Sequence, residues 1–128
     1  MVESHHEARA CRNSGPSALR IRYWKNKLKT VWILEEIGKE HPITTGIIID
    51  QGKIQALKVL IYRESRGDEV RHPFFTGQFK AARLREDTQL DRPIDGISGA
   101  TLSVRALKKM ARMALYLDQH ANPSFKQP

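Results

Sequence analysis

The sequence predicts an α+β fold: an antiparallel sheet built on a long hairpin, with packed helices that include an amphipathic C-terminal helix. Two β-rich runs, residues 43–50 and 53–63, meet at Gln51-Gly52, where glycine takes the positive φ of a tight hairpin turn. Between residues 102 and 120, Leu102, Ala106, Met110, Met113, Ala114 and Leu117 recur every three or four positions, and Arg105, Lys108, Lys109 and Arg112 fill the other face. The β-rich runs precede this helix without a βαβ rhythm or an internal repeat, which argues for a sheet with a helix docked on it.

Taken in order, residues 1–19 mix His, Ser, Arg, Gly15 and Pro16 with no apolar period. They read as a flexible arm or leader remnant and are left out of the core. Residues 20–122 form the single domain, and 123–128 a tail. Residues 20–30 alternate basic side chains with Ile21, Tyr23, Trp24 and Leu28, a pattern open to a short helix or an edge strand. The β-branched and aromatic content of residues 31–37 favours a strand or a short amphipathic segment, ended by Gly38 and Pro42. The hairpin follows. Pro73 suits a first helical turn, so residues 73–80 read as a short helix whose Phe74, Phe75 and Phe79 pack on the sheet. Residues 81–94 read as a strand fragment plus a loop ending in Arg92-Pro93.

A chain of 128 residues builds one core rather than two. Its 40% hydrophobic and 28% charged content excludes collagen-like and wholly disordered classes. Apolar runs such as Ile47 to Ile49 are far below the roughly 18 residues of a membrane-crossing helix. Cys11 is the only cysteine, so no internal disulfide forms. The excess of 22 Lys+Arg over 14 Asp+Glu sits at the chain ends, and residues 31–103 are nearly neutral. A nucleic-acid binder needs a basic stripe interleaved with aromatics, and the one candidate is residues 20–29, with Tyr23 and Trp24.

The informative segment is Asp95-Gly96-Ile97-Ser98-Gly99-Ala100-Thr101, which runs straight into the long helix. One reading is structural: Ser98 caps the helix and Asp95 is a loop residue favoured by its dipole. The other is functional: free N–H groups at the helix start, approached closely over small residues, hold a phosphate beside the Thr101 hydroxyl, with Arg105 and Lys108 further along the same side. The residues alone leave both open.

This segment resembles the FMN-binding domain family, whose flavinylation motif is Asp-Gly-x-Ser/Thr-Gly-Ala-Thr, and the match is complete over residues 95–101. That family includes the flavin-bearing subunits of the sodium-pumping NADH:quinone reductase and of the Rnf complex, besides small soluble forms. The resemblance implies FMN joined through its phosphate to Thr101, after a separate, magnesium-using flavin transferase splits FAD. It further implies that Ser98, Gly99, Ala100, Asp95, Gly96, Ile97 and Leu102 surround the cofactor. A second stretch, Glu64-Ser65-Arg66-Gly67, resembles the family's Glu-Thr-Pro-Gly loop and makes these four residues further candidate contacts. Ser65 and Arg66 depart from that pattern; an arginine near the ring would favour reduced flavin, and Arg66 reads equally as a solvated turn residue.

The expected role is a redox carrier, or a component of a redox enzyme, with an unidentified redox partner protein and no nucleic acid. The alternatives are a noncovalent FMN-binding protein and the basic anion-binding module. The resemblance also carries the expectation of an exported, periplasmic or otherwise extracytoplasmic protein whose signal is not in this sequence. No catalytic acid, nucleophile or metal site is expected: His5, His6 and Cys11 lie in the arm, His41, His72 and His120 are far apart, and the adjacent acidic pairs point to different sides of any regular element.

Overall fold

The computed structural model describes residues 4–10 and 19–122, with side chains from residue 21 onward. Five antiparallel strands follow one another across the sheet in chain order. They are β1 (Ser4–Ala10), β2 (Leu19–Asn26), β3 (Lys29–Ile37), β4 (Pro42–Asp50) and β5 (Lys53–Tyr62). Two helices follow, α1 (Pro73–Thr76) and α2 (Thr101–Ala121), making the expected α+β fold. One segment differs from expectation. Ser4–Ala10, within the stretch read as an arm, pairs its backbone with β2, Ala8 opposite Ile21. Ladder hydrogen bonds need no apolar period, so hydrophobic patterning gives no sign of such an edge strand. The rest of the arm and the tail 123–128 lie outside the described residues.

The 20–30 segment resolves as β2 and the turn into β3. Tyr23 lies parallel to Trp32, ring centroids 4.4 Å apart. In the β4–β5 hairpin both central residues have positive φ, Gln51 at 55° and Gly52 at 79°, as a two-residue turn of primed type requires. Its register slips between Thr44 and Thr45, where Thr45 faces Val59 but Thr44 faces Ile61. Leu60 is therefore a bulge. Alternation would otherwise have sent Tyr62 to the opposite side from Val59. The extra residue instead sets Tyr62 opposite Ile43, which is fully buried on the helix side.

Residues 73–80 form the expected helix with Pro73 in its first turn and a 3-10 turn at its end. Phe75 and Phe79 meet edge to face at 5.8 Å and are fully buried, whereas Phe74 is largely exposed. The 81–94 segment holds one bridge, Leu84 with Leu90, and returns to the edge of β5 through the Ile54 amide donating to the Ala82 carbonyl at 2.9 Å.

Helix α2 lies across β3, β4 and β5. Its buried line runs through Val104, Leu107, Met110, Ala111, Ala114 and Leu115, against Trp32, Leu34, Ile43, Ile47 and Val59. Of the apolar stripe expected from the sequence, Ala106, Met110 and Ala114 are buried and the other three positions lie off this line. Leu102 is exposed, and Met113 and Leu117 are only half-buried. Each leucine side chain removed from water at positions 107 and 115 stabilises the docking by roughly 1.5–3 kcal/mol. No described helix is long and apolar enough to cross a membrane.

Candidate functional site

A cleft of about 460 Å³ opens where three segments converge, and Lys39, Glu40, Glu64, Ser65, Arg66, Gly99, Ala100, Thr101, Leu102 and Ser103 line it. The turn between β3 and β4 gives the first two, the loop after β5 the next three, and the start of α2 the rest. Ile97 to Ala100 makes a tight turn: the Ala100 amide donates to the Ile97 carbonyl at 3.0 Å, and Gly99 has φ 83°. A positive φ at the third turn residue favours glycine, so Gly99 is fixed by the backbone. The chain then enters the helix without a side-chain cap. Ala100 holds the capping position, and the first helical bond is the Val104 amide to the Ala100 carbonyl at 2.9 Å. Ser98 is therefore not the expected cap. The amides of Thr101, Leu102 and Ser103 precede that bond and carry the positive end of a 21-residue helix.

The two hydroxyls of this first turn differ. Thr101 is exposed in the cleft, while Ser103 is 4% exposed. The Tyr62 hydroxyl has one proton, which it donates to the Arg66 carbonyl, so the Ser103 hydroxyl donates to Tyr62 at 3.0 Å. Burial holds the Tyr62 phenol above its ordinary value. Gly67, with φ 85°, sits so close that a Cβ there would lie 2.7 Å from the Tyr62 oxygen. Nearby, Glu64 Oε2 accepts the Glu40 amide at 2.8 Å and the Lys39 amide as well. These bonds, the Glu40 amide foremost, hold the Glu64 carboxyl below its usual range. A Cβ at Gly38 would lie 2.8 Å from Ile43 Cδ1, 3.2 Å from the same Glu64 oxygen and 3.3 Å from Ser103 Oγ. Two glycines thus let three backbones meet.

Of the residues singled out from the sequence, Glu64, Ser65, Arg66, Gly99, Ala100, Thr101 and Leu102 share this cleft. Asp95, Gly96, Ile97, Ser98 and Gly67 do not line it. Asp95 serves the approach instead: the Gln78 side chain accepts its amide at 2.7 Å and donates to its carbonyl at 3.1 Å. Ile97 packs against the core. Arg105 and Lys108 are not among the lining residues either, and the cations there are Lys39 and Arg66. Sequence reasoning passed over Lys39 and Glu40, which no motif marks and which arrive only through the β3–β4 connection. Among the described residues no His/Cys/Asp/Glu cluster could hold a metal.

A family model described as FMN-binding domain matches residues 38–116, more than half of the chain and every lining residue of the cleft. The chain belongs to the FMN-binding domain family. FMN is its cofactor, and binding it is its function. A search of curated proteins found no match. The cleft suits such a group: its volume falls within the roughly 300–1,000 Å³ of small-molecule sites. Small residues, the first amides of α2 and two cations, Lys39 and Arg66, line it.

Proposed function

We propose that this domain holds FMN in the cleft at the start of α2, carries it by a phosphoester to Thr101, and passes electrons between partner proteins. The observation behind the covalent link is the contrast between the two first-turn hydroxyls. Thr101 is exposed in the cleft at the start of the helix, whereas Ser103 is buried and already bonded to Tyr62. In the attachment, catalysed by a separate flavin transferase, the Thr101 alcohol displaces AMP from FAD. Its Oγ1–P bond forms as the P–O–P bridge breaks, and the alcohol proton leaves with AMP.

The chain's own residues bind and orient. The amides of Thr101, Leu102 and Ser103, with Lys39 and Arg66 at the rim, neutralise phosphate charge, and Leu102 offers an apolar surface at the same opening. Bound FMN supplies one- or two-electron chemistry at its isoalloxazine ring. A carrier of this kind needs no acid or nucleophile from the protein. The completeness of the 95–101 motif extends the proposal to an exported, extracytoplasmic setting, which fractionation of the native host tests.

Co-expression with a flavin transferase tests the attachment. Wild type is expected to be yellow and to keep its flavin through denaturation. Thr101→Ala is expected to lose covalent flavin with an unchanged far-UV CD spectrum, because residue 101 makes no cap bond. Covalent FMN retained in that variant would falsify the assignment. Colour that washes out on unfolding, without a mass gain, would leave FMN bound noncovalently.

A further inference from the structure

We infer that Tyr62 is a positioning residue for FMN: its hydroxyl ties the first turn of α2 to the loop after β5 and so sets the shape of the cleft. The inference rests on the assignment of this cleft to FMN. Three observations converge on that oxygen. It donates to the Arg66 carbonyl in the loop and accepts from Ser103 in the helix at 3.0 Å. It blocks any side chain at Gly67, where a Cβ would stand 2.7 Å away. The Leu60 bulge is what turns Tyr62 toward the helix at all.

Tyr62 is not among the residues lining the cleft, yet its two partners are. Arg66 belongs to the loop and Ser103 to the helix, and one hydroxyl joins them. Glu64 makes a similar tie between the loop after β5 and the β3–β4 turn, through the Lys39 and Glu40 amides. Together the two ties hold all three backbones in place before the cofactor arrives, so little ordering remains to be done on binding. Without the Tyr62 hydroxyl, the buried Ser103 hydroxyl loses its acceptor and the loop loses its link to the helix. The phosphate amides and the Arg66 side then no longer keep a fixed spacing.

The test titrates apoprotein with free FMN and follows flavin fluorescence quenching. Tyr62→Phe is expected to weaken FMN binding roughly tenfold, as loss of a bond to a buried partner implies. Ser103→Ala should do the same, and the double variant should be no weaker than either single one, since both break one tie. Asp118→Ala, at the far end of α2, supplies the control: it should lower the melting temperature while leaving FMN affinity alone. Unchanged affinity in Tyr62→Phe, or additive losses in the double variant, would overturn the inference. Thr101→Trp separates this from the underlying assignment, because it fills the cleft directly. If Thr101→Trp abolishes binding and Tyr62→Phe does not affect it, the cleft stands and the positioning role falls. If Thr101→Trp binds FMN normally, both fall.

Discussion

Thr101 and Ser103 sit two residues apart on one helical turn, the first exposed, the second buried and bonded to Tyr62. Thr101 was singled out in the sequence by the 95–101 motif, but the burial and bonding of Ser103 were not legible there. They depend on Tyr62, which arrives from 41 residues away after a strand bulge that no periodicity announces. Gly67 was legible only as part of a loop, yet its φ of 85° and the nearby Tyr62 oxygen make it sterically required. Gly67→Ala is expected to destabilise the protein by about 1–3 kcal/mol, read from urea denaturation. Glu64 makes a pH-dependent contribution. Its folded pKa is lowered, so its stabilisation is present above the ordinary carboxylate value of 4.5 and is lost as pH falls through the lower folded value. Melting temperatures of wild type should therefore drop on acidification more steeply than those of Glu64→Gln. Parallel curves would show that the carboxylate's ties to the Lys39 and Glu40 amides contribute nothing to folding.

At the level of elements, α2 was readable as a helix, and its orientation in part, since Ala106, Met110 and Ala114 of the expected stripe are buried. Residues 102–117 contain apolar side chains on more than one side, and the expected stripe takes in Leu102, Met113 and Leu117 but passes over Leu107 and Leu115. The sheet decides, by presenting Trp32, Leu34 and Ile47 to a line through residues 107, 111 and 115. Leu107→Ala is accordingly expected to cost about 2–5 kcal/mol and Leu102→Ala less than about 0.5 kcal/mol, a contrast that chemical denaturation resolves. The C-terminal end of α2 is tied down by polar groups. Asp118 Oδ1 accepts from Thr30 at 2.6 Å and from Asn122 at 3.1 Å, and Trp32 donates to the same Thr30 hydroxyl at 2.7 Å. Burial raises the Asp118 pKa above 3.8, opposed by its hydrogen bonds and by Lys25. A raised folded value means that this contribution is fully present below the unfolded pKa and is lost as pH rises through the folded one. Asp118→Asn keeps an acceptor without the charge, so it should remove that loss from the stability profile. If the two profiles coincide, the ionisation of Asp118 is not linked to folding.

Over the whole molecule, the meander of five strands with one long docked helix places the two ends of α2 at different tasks: a polar lock at Asp118 and the cleft at Thr101. The hairpin, the helix and the motif between them were legible because each is encoded locally, by turn chemistry, spacing or small residues. The cleft's other walls were not, since Lys39 and Glu40 reach it through tertiary connection. A ligand that binds only the folded state must also stabilise it. Free FMN at about 100 times its dissociation constant should raise the stability of apoprotein by ~2.7 kcal/mol, measured as a shift in melting temperature. No shift at saturating FMN would mean that the folded domain does not capture the free cofactor. The most direct measurement is peptide mapping by mass spectrometry of protein isolated from its own host. The peptide spanning residue 101 should carry one FMN in phosphoester linkage on that threonine, while the same peptide recovered wholly unmodified would contradict the covalent carrier.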